Sequence, residues 1–183
     1  LAESGAFPIF CPTTHGIGGK PMNTNYLSKL NVDWGIGTDC SGGNDDYDMF
    51  EEMRTALVLN NSVAQDNFIK PKDIFRKASE ENISRISGGV FSGTLSKNQK
   101  ADFITVSINT PRMQPLHDVI NNIVMCASSK EVKDVYIEGE CIVKDSKFQN
   151  IDEEIILEEG INAINTLFTK TGFDKKILDG DFS

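Results

Sequence analysis

The sequence predicts an α/β fold, and three observations carry that prediction. Short apolar runs at residues 7–10 and 32–37 alternate with helical patterns, in the order strand, helix, strand, helix, which is the repeating unit of parallel sheets. A β-rich stretch follows, and a long amphipathic segment closes the chain. The composition allows a packed core: 183 residues, 39% hydrophobic and 25% charged, suit one domain or one domain with an appendage.

Phe7-Pro8-Ile9-Phe10 reads as a strand, closed by Cys11-Pro12 and followed by a loop at 13–21 rich in Gly and hydroxyl residues. Residues 22–30 suit a short helix. In Val32-Asp33-Trp34-Gly35-Ile36-Gly37 large apolar residues alternate with small or polar ones, which puts Val32, Trp34 and Ile36 on one face of a strand. A Gly- and acid-rich loop at 40–47 leads to a helix from 48 to about 65, where Met49, Phe50, Met53, Ala56 and Leu57 recur at helical spacing; Asp48, Glu51 and Glu52 complement the dipole of its first turn. Two short helices fit 71–86, and Ser87-Gly88-Gly89 breaks the pattern. Strands then fit 91–95 and 102–108, while 118–127 is apolar and ambiguous. Val135-Tyr136-Ile137 and Cys141-Ile142-Val143 flank Glu138-Gly139-Glu140 as a hairpin. From 152 to about 171 an amphipathic helix carries Ile155, Ile156, Ile161, Ile164, Leu167 and Phe168 as its expected buried stripe.

Charge and residue counts narrow the function. Twenty-seven acidic against 18 basic side chains give a net charge of −9, which repels phosphate backbones and anionic lipid, so a nucleic-acid or membrane-surface role is disfavoured. No apolar run reaches the length of a membrane span and no signal-peptide pattern opens the chain, so a cytoplasmic location is expected. Cys11, Cys40, Cys126 and Cys141 are far apart and form no Cys-x-x-Cys, which predicts reduced thiols in or near a core. Two histidines, His15 and His117, are too few for a metal site of three or four histidines within this chain.

Functional side chains in α/β units sit where a strand ends and the chain turns toward the next helix. Asp39, after Gly37-Thr38, holds that place. By the period of two it shares a face with Gly35 and Gly37, which leaves room around its carboxylate for a metal or substrate; capping of the next turn is the alternative use of the same side chain. His15, beside a loop of small residues, reads as a substrate or hydrogen-bonding group, or as a surface histidine. Gly16-Ile17-Gly18-Gly19-Lys20-Pro21 lacks the spacing and the Ser or Thr of a phosphate loop. Asp45-Asp46-Tyr47-Asp48 lacks the ligand alternation of a calcium loop and reads as a solvated helix start. No nucleophile elbow is present.

Gly37-Thr38-Asp39, followed by Asn44 and by Asp48-Met49-Phe50-Glu51-Glu52-Met53-Arg54, resembles the amidohydrolase superfamily in its branch of adenosine-type deaminases and triazine chlorohydrolases. Gly93-Thr94-Leu95 with Lys100-Ala101-Asp102-Phe103-Ile104, the hairpin at 135–140, and Cys11-Pro12-Thr13-Thr14 match further segments of that family in the right order. The resemblance implies a (β/α)8 barrel with a small β-sandwich built from both chain ends. On it, residues 1–88 correspond to the last strands and helices of the barrel, 89–150 to the C-terminal part of the sandwich, and 151–183 to an amphipathic helix and tail. A whole barrel needs about 250 residues, so the chain is expected to be the C-terminal part of such a protein, the histidine ligands and general-acid glutamate lying before Leu1.

The resemblance also implies the chemistry: metal-dependent hydrolysis of a carbon–nitrogen bond that is not a peptide, as in deamination of an adenosine-like or other aminated heterocycle. Asp39 matches the strand-eight aspartate, which in the family sits at a divalent metal, zinc or iron, and handles the proton of the attacking water. Asn44 matches a loop position above that site, and His15 would join it at the substrate mouth. Phe10, Thr14-His15, Gly42-Gly43 and Asp45 depart from the usual residues. The alternative is a non-catalytic module that acts by binding a partner chain. Two barrel strands alone leave open edges and apolar faces, so the isolated chain is expected to be a homo-oligomer or poorly soluble, and to retain no metal tightly.

Overall fold

The computed structural model describes residues 2–64 and 67–172; the predicted tail beyond them lies outside the described residues. The first half runs β1 (Ile9–Phe10), α1 (Pro12–Ile17), α2 (Thr24–Lys29), β2 (Gly35–Ile36), α3 (Ser41–Asn44), α4 (Met49–Val63) and α5 (Pro71–Arg76), then a π-helical turn (Lys77–Glu81) continuous with α6 (Asn82–Ile86). The second half runs β3 (Phe103–Val106), α7 (Val119–Cys126), β4 (Val132–Ile137), β5 (Glu140–Lys144), β6 (Lys147–Phe148) and α8 (Glu153–Thr171).

β1 and β2 pair in parallel, Ile9 beside Gly35 and Phe10 beside Ile36, as the strand–helix–strand order predicts. Val32, Trp34 and Ile36 are all buried, and Phe10 meets Trp34 edge to face at 6.3 Å. The outer edge of β2 is closed by a side chain. Asn82 Oδ1 accepts from the Ile36 N–H (3.1 Å) and Asn82 Nδ2 donates to the Ile36 carbonyl (2.5 Å), so one amide meets the two groups that a neighbouring strand would meet. Gly35 makes the approach possible, because a methyl there would overlap Asn82 Oδ1 and stand 2.8 Å from the Phe7 ring.

α4 starts where its acidic turn predicts: Asp48 caps it, accepting from the Phe50 N–H at 2.9 Å. Phe50, Met53, Ala56 and Leu57 face the core. That core also holds Ile74 of α5 and, from the second half, Met113, Val124 and Ala127, so α7 packs into the same cluster as α4. Arg54 reinforces the join by donating to the Ala127 carbonyl at 2.6 Å. β3 to β6 form an antiparallel sheet in chain order, and Phe103 stacks on Tyr136 at 4.5 Å. The predicted hairpin is β4–β5, its turn formed by Glu138 (φ 52°) and Gly139 (φ 83°), both left-handed as a tight hairpin turn requires.

Three expectations are corrected and one ambiguity is resolved. Residues 13–21 do not form a loop throughout: Pro12 opens α1, since its fixed φ and missing N–H suit a first helical position. Residues 91–95 form no strand; Gly93 (φ 68°) bends left-handed against the backbone of Ser79 and Glu80. The ambiguous 118–127 is helical, capped by Asp118 through the Asn121 N–H at 2.9 Å. The expected stripe of α8 is not buried. Ile155, Ile156, Ile161, Ile164 and Leu167 are 48–61% exposed, because no described element packs along the helix. Among the described residues no helix is long and apolar enough to cross a membrane. All four cysteines are free; Cys40 is exposed, outside any core.

Candidate active site

The site residues gather at the carboxyl ends of β1 and β2, where each strand hands over to a short helix. Asp39 follows β2 and does not continue its alternation, because its φ is 66°. The turn leaves the side chain exposed. Its Oδ1 accepts from the N–H of the next residue, Cys40, at 2.8 Å, while α3 begins without a side-chain cap, and its Oδ2 makes no hydrogen bond among the described residues. This local bond uses one oxygen and leaves the other without a hydrogen bond among the described residues. The place where Gly43 would carry a Cβ lies 3.5 Å from Asp39 Oδ2 and 3.2 Å from Thr14 Oγ1, so the carboxylate and the start of α1 approach each other across a glycine.

Asn44 is buried. Its amide nitrogen donates to the Thr38 carbonyl (2.9 Å) and to Glu52 Oε1 (2.8 Å), so both of its hydrogens are used within the chain. His15 stacks on Phe10, ring centroids 5.6 Å apart, and no hydrogen bond joins it to Asp39 or Asn44. Its Nδ1 is buried without a hydrogen-bond partner among the described residues, as are Thr13 Oγ1 and Thr14 Oγ1. One turn of α1 thus carries three buried polar atoms that nothing described satisfies.

Two further residues, Glu52 and Cys11, belong here. Glu52 is 1% exposed; its Oε2 accepts from the Thr13 N–H at 3.1 Å. The signal for it lay in spacing: Glu52, Ala56 and Asn60 fall at i, i+4 and i+8, and all three are on the buried side of α4. Cys11, between β1 and α1, faces the same carboxylates. Burial pushes its thiol pKa up, and the charges of Asp39 and then Glu52 push the same way, against a hydrogen bond from the Asp39 backbone.

Among the described residues no group of three or more His, Cys, Asp or Glu side chains stands close enough to hold a metal ion. Asp39 fits one ligand position of a larger set, as an exposed carboxylate with an oxygen to spare; the described residues do not make a complete centre.

The model of the amidohydrolase family matches residues 22–142. The chain is 32% identical over 144 residues to a 5-methylthioadenosine/S-adenosylhomocysteine deaminase of Bacillus cereus, covering 78% of this chain and 33% of that protein. A Bacillus cytotoxicus protein of the same name is 31% identical over the same length. The chain therefore spans about a third of the length of the curated relatives it matches. Among solved structures, a zinc-bound adenosine deaminase from Xanthomonas campestris superposes with a TM-score of 0.86 at 26% identity, over 92% of this chain and 39% of that one. A zinc complex of atrazine chlorohydrolase from Arthrobacter aurescens superposes with a TM-score of 0.76 over 86% of this chain and 36% of that one; at 17% identity it speaks for the fold alone. With a family match over most of its length and a mixed α/β fold shared with these hydrolases, the chain belongs to the amidohydrolase family.

Proposed function

We propose that this chain is the C-terminal part of a metal-dependent hydrolase that removes an amino group from an adenosine-like substrate or another aminated heterocycle. The observation that carries the reading is Asp39: a carboxylate at the end of a parallel strand, one oxygen tied to the Cys40 N–H and the other unbonded, in a chain of this family. The deaminases among its relatives and the adenosine deaminase fold support the substrate class. In this reading β1 and β2 are barrel strands seven and eight, and β3–β6 are the C-terminal part of a sandwich. The three unsatisfied polar atoms of α1 fit a surface completed by further protein or by substrate.

Asp39, together with ligands outside this chain, would hold a divalent metal, zinc or iron, which would make a bound water acidic enough to lose a proton near neutral pH. Asp39 Oδ2 would accept a proton from the attacking water and pass it to the departing nitrogen, so that water and the C–NH2 group give C–OH and ammonia. Keeping Oδ1 on the Cys40 N–H prevents the carboxylate from rotating while Oδ2 exchanges the proton. His15 and Thr14 line the mouth, and Asn44 serves it from behind through the Thr38 carbonyl. In this reading Asp39 is the ligand that the described residues supply, and the isolated chain holds metal weakly.

The test uses the intact enzyme with methylthioadenosine, S-adenosylhomocysteine and adenosine, following ammonia release. Asp39→Ala should reduce turnover by about 10²–10⁴-fold or more, the scale of a lost acid–base group. Turnover retained in that variant would show that the proton is handled elsewhere.

A further inference from the structure

We propose that Glu52 positions Asp39 for proton transfer, acting through Asn44. The inference rests on the role given to Asp39 above. Glu52 belongs by sequence to the acidic first turn of α4, where carboxylates ordinarily point to water, yet it is 1% exposed and forms no ion pair among the described residues. A buried carboxylate without a cation is costly to keep, and here its acceptor capacity is spent on two segments of the site. Oε2 takes the Thr13 N–H at the start of α1, and Oε1 takes one hydrogen of the Asn44 amide. The second hydrogen of that amide goes to the carbonyl of Thr38, the residue directly before Asp39.

These bonds act on a strained turn. Asp39 has φ 66°, a left-handed conformation that a non-glycine residue keeps only where its surroundings hold it. The Thr38 carbonyl is the handle by which it is held. Without an acceptor at Glu52 Oε1, a buried Asn44 hydrogen has no partner, and the amide can satisfy it only by turning away from Thr38. Through Thr13 the same carboxylate fixes the first turn of α1, which carries Thr14 up to Gly43 and the far side of Asp39 Oδ2. The requirement is for two acceptor oxygens. Glutamine at 52 has the same shape but one acceptor, so either Thr13 or Asn44 would face an NH2 group.

The experiment measures kcat and KM of the intact enzyme for Glu52→Gln, Asn44→Ala and the double variant. Each single change should lower kcat about 10–100-fold, the cost of misplacing a reacting group by an ångström or less, with KM held within about twofold. The double variant should lose no more than the worse single one, since both act through one bond. Wild-type kcat in Glu52→Gln, independent losses that multiply, or an Asn44→Ala effect confined to KM would overturn the proposal. Should Glu52→Gln fail to fold by circular dichroism, Asn44→Ala decides alone: a kcat loss supports the link and an unchanged kcat removes it. A parent enzyme that releases no ammonia from any aminated purine overturns both readings. Activity abolished by Asp39→Ala but untouched by Glu52→Gln overturns this one only.

Discussion

Asp39 could be picked out from its neighbours in the chain because glycine-rich strand ends in α/β units carry functional groups, but its orientation could not. A period of two puts it on the face of Gly35 and Gly37; the left-handed φ takes it off that register and divides its two oxygens between the Cys40 N–H and open space. Glu52 was harder to see, since helix dipoles explain an acidic first turn equally well whether the side chain points out or in. A third carboxylate makes the electrostatics of such groups measurable. Burial raises the pKa of Glu131, but hydrogen bonds from the Ser128 hydroxyl and N–H, the charge of Arg112 and the Thr110 hydroxyl bring it below the usual carboxylate value. A folded value below the unfolded one means that the charged form stabilises the fold above about pH 4.3 and that this contribution fades as pH falls through the folded value. Glu131→Gln should therefore cost about 1–3 kcal/mol at neutral pH and cost progressively less toward pH 3, measured by thermal melts across that range. An equal cost at both ends would assign the effect to packing.

At the scale of elements, hydrophobic period and turn chemistry foretold β1, β2, α4 and the β4–β5 hairpin, because each buries one face or needs one glycine-tolerant turn. Long-range bonds decided the elements that were read differently. α1 forms where its first turn meets Glu52, 39 residues away, and no local pattern announces that partner. The closing of β2 is of the same kind, a contact across 46 residues between Ile36 and Asn82. Asn82→Ala would leave the Ile36 N–H and carbonyl unpaired in a buried setting, at a cost of roughly 2–4 kcal/mol. Gly35→Ala should cost a similar amount by steric displacement of the same amide. Urea unfolding of both single variants and the double variant checks this: the double should be only slightly worse than either single, since the two remove one arrangement. Additive losses would show that Gly35 and Asn82 act separately.

On the scale of the whole molecule, the described chain leaves a large apolar surface in water. Ile155, Ile156, Leu157, Ile161, Ile164 and Leu167 of α8 are about half exposed or more, and Ile104, Ile137 and Phe148 of the sheet are 44–49% exposed. Fully burying one such side chain is worth about 1.5–3 kcal/mol, so these faces favour contact over water. The chain by itself should self-associate, with a mass by light scattering that rises with concentration; Ile161→Glu with Ile164→Lys should lower that mass. A constant monomer mass from micromolar to millimolar protein would contradict it. α8 also marks where sequence and tertiary structure part. The spacing of apolar residues and the ordered motifs from Cys11 to Glu140 were enough to predict an α/β chain of this family with Asp39 at a strand end, since period, turns and motif residues are local properties. Whether an apolar stripe is covered, which way a first-turn carboxylate points, and what closes a strand edge are decided by residues tens of positions away. Burial and hydrogen-bond satisfaction are properties of the assembled fold, and only the fold brings Glu52 to Thr13 and Asn82 to Ile36.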